Sequence, residues 1–282
     1  MAAIRVLVTG AGSGVGNGIV KALRLSALET TIICCDSNPL SVGLFRADEA
    51  VIWPRVESPG AQEKIIDSLN DLNIDVVLIG SEFDLAFFAA NRDTIERETR
   101  AHIVVSPEKS IAIANDKWLT SEFLRENGLP YAKTMVPEDL ADAVATGRDW
   151  GYPLMLKPRS GTSSRHVHVI DNEGSLRHLF QSVPMAMLQR LLGTPSRDLN
   201  NEYTCTVFKA GDEVIIGPFT ARRALRGGDS WTIEVDRFEE LHPVVLDIAR
   251  RLPIIATLNV QLIVTETGPV PFELNARFSG TT

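Results

Sequence analysis

The sequence predicts an α/β fold: a parallel sheet flanked by helices over residues 1–112, then a two-lobed α+β unit over residues 113–282. Three observations predict it. Short apolar runs alternate with helical segments in the first third, the pattern of strands buried on both faces beneath crossover helices. The stretch IANDKWLTSEFLRENGLP then supplies a helix that stops at Gly128 and Pro130 and opens a second unit. The remainder is rich in strands.

In the first unit the strands are IRVLVTG, TTIICCD, DVVLIGS and HIVVSP, with helices expected over residues 17–25 and 59–70 and a third before HIVVSP. The second unit divides into a small lobe, residues 113–187, and a C-terminal lobe, residues 188–282. The small lobe carries YPLMLKP, a Ser/Gly/Thr loop, VHVI and a helix over residues 173–181; MAMLQRLLG crosses into the next. The C-terminal lobe reads EYTCTVF, EVIIGPF, a loop holding Arg222, Arg223 and Arg226, a helix over residues 243–251, then NVQLIV and PVPFELNARF. Internal repeats and low-complexity linkers are absent from the sequence.

Composition narrows the function. With 44% hydrophobic and 23% charged residues in 282, the chain is large enough for two or three packed units. A formal net charge of -8 lacks the Lys/Arg surplus that neutralises phosphate backbones, so nucleic acid is not an expected partner. No apolar run approaches the length that spans a bilayer, and a cytoplasmic setting without membrane contact is expected. Cys34, Cys35 and Cys205 are odd in number and suit buried reduced thiols. Neither they nor the five histidines show zinc-ligand spacing.

VTGAGSGVG follows the first strand and opens a helix, where backbone N–H groups can hold a pyrophosphate, and Asp36 ends the second strand where a ribose-binding acid would sit. The spacing of Gly10, Gly14 and Gly16 resembles the short-chain dehydrogenase loop, so an NAD(P)-dependent reductase or epimerase is the rival reading. Tyr131, Tyr152 and Tyr203 each lack the Lys four positions on that such chemistry needs. The reading preferred here is structural: the glycines allow a tight turn and close packing, and Asp36 caps or solvates a strand end.

The last strand is the most informative. Phe272, Leu274, Ala276 and Phe278 alternate with Glu273, Asn275 and Arg277, which puts the polar groups on one face and the apolar ones on the other. A half-exposed strand would alternate in the same way, but the identities narrow the choice. A carboxylate and an amide oxygen two residues apart converge on one hard cation, and a guanidinium one step further reaches a phosphate oxygen. A three-residue loop, ETG, would place Gln261 across from Glu273, whereas a two-residue loop would turn it away. Lys157, at a strand end before a small-residue loop, can reach nucleotide phosphates or lie solvated. Lys117 opens the NDKW helix; Gln189 and Glu202 are placed to serve an adenine edge and ribose hydroxyls, or are ordinary surface polar residues.

In order, VTGAGSGVG, CDSNP, FRADEA, NDKW with GLP, PLMLKPRSGTSS, MLQRLLG, EYTCTVF, NVQ and FELNARFSGTT resemble the ATP-grasp superfamily, specifically carboxylate-amine ligases similar to the large chain of carbamoyl phosphate synthase. The resemblance spans nearly the whole chain. It implies a Rossmann-like pre-ATP-grasp domain before a two-lobed ATP-grasp domain whose C-terminal lobe is expected to be truncated, since relatives continue past SGTT. It implies ATP and Mg2+ as cofactors. Lys117 and Lys157 would contact ATP phosphates beneath a loop of Ser160, Gly161, Thr162 and Ser163, with Gln189, Leu191 and Glu202 completing the nucleotide site. Gln261, Glu273 and Asn275 would bind magnesium, and Arg277, with Lys157 and Asn275, would act in phosphoryl transfer. The loop departs from the family in having Gly161 alone and Arg165 and His166 where small residues are usual.

The implied reaction converts a small carboxylate into an acyl phosphate that an amine attacks. Glu82 and Asp84 would help present substrate, and Arg223 and Arg226 either grip an anionic substrate or belong to a solvated basic loop. A non-catalytic ATP-binding module of a larger synthase is a further alternative, and the sequence leaves monomer and homodimer open.

Overall fold

The computed structural model describes residues 3–161, 166–193, 199–211, 214–226 and 229–280. β1 (Ile4–Val8), α1 (Gly14–Leu25), β2 (Thr30–Asp36), β3 (Glu49–Ile52), α2 (Ala61–Asp71), β4 (Val76–Leu78), α3 (Leu85–Glu98) and β5 (His102–Val104) build the first sheet. Its order is β3-β2-β1-β4-β5, with every neighbouring pair parallel. Val6, Val8, Ile32 and Cys34 pack with Ile19 and Val20 of α1, while Leu7, Ile33, Cys35 and Val77 face the opposite way onto Ile65 and Phe88. That two-sided burial is why the strands are continuous apolar runs. The chain reverses direction across the sheet between β1 and β4.

α4 (Glu108–Asn115) and α5 (Lys117–Glu126) follow where one helix was expected. They break at Asp116, whose carboxylate caps α5 by accepting from the N–H groups of Trp118 and Leu119. β6 (Thr134–Met135), α6 (Leu140–Trp150), β7 (Leu154–Pro158), β8 (His168–Ile170), α7 (Glu173–Leu179) and β9 (Ala186–Arg190) form the small lobe, whose antiparallel sheet runs β6-β9-β7-β8. It has its own core of Ala143, Val144, Leu156, Ile170, Leu176 and Leu188. The expected division after residue 187 cuts β9, whose pairing keeps Leu188, Gln189 and Arg190 with this sheet.

β10 (Glu202–Ala210), β11 (Val214–Arg226), β12 (Asp229–Val235), α8 (His242–Arg251), β13 (Ala256–Thr265) and β14 (Gly268–Asn275) complete the chain, in an antiparallel sheet ordered β12-β11-β10-β13-β14. α8 lays Val244, Val245 and Ile248 on one face with Tyr203, Cys205, Val260 and Leu262. That core is continuous with the lower face of the parallel sheet through Ile111, Ala114 and Leu124 of α4 and α5. Pro269 and Pro271 are tolerated because β14 is an edge strand.

Three expectations are corrected. Arg222, Arg223 and Arg226 lie in β11, not in a loop, and β12 pairs along them. The joint between β13 and β14 is a two-residue loop, with Thr265 paired to Gly268, and a bulge lets Gln261 pair with Glu273 while Leu262 pairs with Pro271. Phe272 is the extra residue, so the strict alternation fails there. β14 also ends at Asn275, and Phe278 packs on the α1 side of the parallel sheet instead of continuing the strand's apolar face.

Candidate nucleotide and phosphoryl-transfer site

Lys157 lies near the end of β7 and is only 5% exposed. Its Nζ donates to Gln189 Oε1 on the neighbouring strand at 2.8 Å, and Gln189 Nε2 donates in turn to Thr134 Oγ1 at 3.0 Å. The ammonium can only donate, which fixes the orientation of the amide. The Gln189 side chain is thereby committed to holding a lysine. Burial, reinforced by repulsion from Lys117 and opposed by Glu273, lowers the Lys157 ammonium from 10.5 to about 8. Lys157 Nζ also stands 5.8 Å from the centre of the Phe272 ring, so the bulge residue forms part of its wall.

Lys117 is set by a separate clamp. Asp116, besides capping α5, accepts from Arg159 Nη2 at 2.5 Å and Nε at 3.0 Å, and the Lys117 N–H donates to the Arg159 carbonyl at 2.9 Å. This pins the helix start to the end of β7, and Lys117 Nζ then donates to the Gly161 carbonyl at 3.1 Å. Ser160 and Gly161 are exposed beyond β7, with Gly161 at a φ of +138° that side chains rarely adopt. Thr162, Ser163 and Arg165 lie outside the described residues.

On the antiparallel sheet, Gln261 and Glu273 are directly paired, and Asn275 Nδ2 donates to Glu273 Oε1 at 3.3 Å. Glu273 forms no salt bridge among the described residues, yet it acts on the Lys157 ammonium. Glu202 and Gln261 are linked: Arg223 Nη2 donates to Glu202 Oε1 and to Gln261 Oε1, each at 2.7 Å. Arg223, expected to grip a substrate from a loop, is instead buried at 6% exposure, and Arg226 stacks on Trp231. Asn259 stands beside this row, bonded to Thr204 Oγ1 at 2.7 Å and Thr206 Oγ1 at 3.0 Å. Arg277 lies past the end of β14 and pairs with Glu82 of the first domain at 2.8 Å.

Thus Lys117, Lys157, Gln189 and Glu273 are neighbours, as are Glu202 and Gln261 through Arg223. The oxygen donors of Glu273 and Asn275 suit a hard divalent cation. Gln261 presents its oxygen to a guanidinium, so a cation there would have to displace Arg223. Sequence reasoning missed Asp116, Thr134, Arg159 and the pairing role of Arg223. For the strand that carries Arg223, though not for its partners, the signal was available: Gly227 and Gly228 separate two alternating runs, the spacing of a hairpin.

In the glycine loop, Asp36 Oδ2 accepts from the Gly12 N–H at 2.8 Å and Oδ1 from the Asn38 N–H at 2.9 Å, so the carboxylate caps two backbone groups of its own chain.

Residues 6–103 match the PylC-like N-terminal domain family, and residues 114–281, more than half of the chain, match the ATP-grasp domain family. The chain belongs to the ATP-grasp family. It is 25% identical over 199 residues to the carbamoyl phosphate synthase large chain of Helicobacter pylori, a match covering 64% of this chain and 18% of that relative. It therefore spans under a fifth of the length of the curated relatives it matches. Among solved structures, N5-carboxyaminoimidazole synthetase from Staphylococcus aureus, complexed with ADP, superposes with a TM-score of 0.78 at 16% identity, covering 98% of this chain and 71% of that one. The biotin carboxylase domain of Hydrogenobacter thermophilus 2-oxoglutarate carboxylase, a dimer complexed with MgADP, ADP and bicarbonate, gives 0.77 at 17% identity, with 98% and 64% covered. An L-amino acid ligase from Bacillus licheniformis gives 0.73 at 15%, with 98% and 68% covered. These likenesses show the fold. Among the described residues, no helix is long and apolar enough to cross a membrane.

Proposed function

We propose that this ATP-grasp chain binds MgATP between its small lobe and its antiparallel sheet and uses it to convert a carboxylate into an acyl phosphate that an amine attacks. The observation that carries this reading is the buried Lys157 ammonium, held by Gln189, flanked by Lys117 and acted on by the carboxylate of Glu273. A lysine in so little water is stabilised as a cation by an anion close by, and triphosphate oxygens supply that charge.

Lys117 and Lys157 would neutralise the phosphates beneath Ser160 and Gly161. Leu191 backs the base and Glu202 receives the ribose hydroxyls, with Gln189 acting through Lys157. Glu273 and Asn275 hold magnesium, joined by Gln261 once Arg223 yields its oxygen. Magnesium, when bound, offsets charge on the transferring phosphoryl group and aligns it. Arg277 steadies that group's oxygens, and enclosure between the lobes keeps water from the acyl phosphate. The carboxylate and amine are small molecules, a class supported by the amino acid ligase and the carboxylating synthetase among the similar structures. Three buried cysteines whose thiols are pushed up by burial support a reducing, cytoplasmic setting, and a homodimer is compatible with the dimeric neighbour.

The test is acid-dependent ADP release with hydroxylamine added to trap the acyl phosphate as a hydroxamate. Glu273→Gln should abolish ADP formation and leave the fold intact; normal turnover in that variant would refute the magnesium assignment. Stabilisation by MgATP without ADP from any acid and amine pair would favour a non-catalytic module.

A further inference from the structure

We propose that Glu82 of the parallel-sheet domain is the positioning residue for Arg277, so that the first domain sets the guanidinium used in phosphoryl transfer. The inference rests on the role given to Arg277 above and adds what holds it there.

β14 ends at Asn275, so Arg277 has no ladder to fix its backbone. Its guanidinium is held at two points: Nη2 donates to Glu82 Oε2 at 2.8 Å, and Nη1 to the Phe278 carbonyl at 2.9 Å. Both supports belong to the first domain in effect. Glu82 follows β4 at the carboxyl end of the parallel sheet, and the Phe278 ring is seated on the cluster of Val6, Val8 and Ile19. The pair is partly buried, with side chains 18% and 29% exposed, which is the regime where a charge-assisted bond restrains a side chain.

The glycine loop gains a purpose from this arrangement. A Cβ on Gly10 would stand 2.6 Å from the Ser81 Cβ, and one on Gly80 would stand 2.3 Å from the Thr9 carbonyl oxygen. Ser13 Oγ also donates to the Gly80 carbonyl at 2.7 Å. The two loops are thus interlocked without room for side chains, and the turn that carries Glu82 is fixed by the loop spelled like a dinucleotide site. Its function is to hold an acid, not a cofactor.

The experiment measures, by calorimetry, the affinity for MgADP alone and with aluminium fluoride, which mimics the phosphoryl group in flight. The proteins are wild type, Glu82→Gln, Glu82→Asp, Arg277→Met and the Glu82→Gln/Arg277→Met double variant. Glu82→Gln should leave MgADP affinity unchanged and weaken the aluminium fluoride complex by about tenfold, the worth of one charge-assisted hydrogen bond. Glu82→Asp should recover part of the loss, and Glu82→Gln should add nothing to Arg277→Met. Equal weakening of both complexes by Glu82→Gln, or full additivity with Arg277→Met, would overturn the positioning role. An Arg277→Met variant that keeps the wild-type gain in affinity from aluminium fluoride would instead overturn the role of Arg277 itself, and the two failures are separable. Should Glu82→Gln not fold, the comparison of Glu82→Asp with wild type decides by the same split.

Discussion

Gln261 stands directly across from Glu273 even though only two residues turn the chain between their strands. In an uninterrupted ladder from that loop, Gln261 would face Phe272, and Glu273 would point to the opposite side of the sheet. The bulge at Phe272 restores the phase. It also lodges an aromatic ring beside the Lys157 ammonium.

Deleting Phe272 should therefore keep Glu273 paired with Gln261, because the shortened strand reaches that pairing without a bulge. Magnesium-dependent stabilisation by ATP should survive in this variant, weakened by the lost ring. Deleting Leu274 should abolish it, since Asn275 then changes face and a fully buried side chain is lost. Thermal melts of the two deletion variants with and without MgATP check this.

Lys157 gives a pH dependence with a definite sign. Its ammonium loses its proton near 8 in the folded chain, while the unfolded chain keeps it to 10.5. Between those values the unfolded state binds more protons, so stability rises with pH across the window. Lys157→Met should flatten that rise and stabilise the ligand-free protein at pH 7, by at most on the order of 3 kcal/mol. The variant leaves Gln189 Oε1 without a donor, which cuts into the gain. Denaturant melts at pH 7 and pH 10 check both.

Thr134→Val removes the acceptor of the Gln189 amide at nearly constant volume. The expected cost is about 1–3 kcal/mol of stability, because a buried donor is left unpaired. ATP affinity should fall with it, as Lys157 loses a fixed partner, and Thr134→Ser should restore both. Denaturant melts and ATP titrations of the two variants give the answer.

Asp36→Ala should destabilise the protein by about 1–2 kcal/mol through two lost backbone caps. NAD(P) should not raise the melting temperature of the wild type, whose Asp36 oxygens are taken by Gly12 and Asn38. A cofactor-dependent rise would revive the dehydrogenase reading.

The parallel sheet was plain in the sequence because strands such as TTIICCD are apolar on both sides. β3 escaped notice because EAVI is an exposed edge strand with no buried face to mark it. The pairing of Gln261 with Glu273 was anticipated from a three-residue loop that does not form, since bulges depend on packing between elements and leave little trace in local spacing. Arg223 shows the converse limit. Its residue type invited a role in gripping anions, but only the tertiary register revealed that Glu202 and Gln261 already flank it.

Among the described residues, the small lobe's core shares no buried residue with the large one. Tilting that lobe as a solid piece therefore sacrifices little apolar burial, and Lys157 and Gln189 would travel on it together. Arg159 anchors the pivot, tied to Asp116 and to the Lys117 backbone. With a core of its own and this tie at Arg159, the small lobe would close over a nucleotide bound as proposed above by swinging, Lys157 moving while Lys117 stays with the larger core.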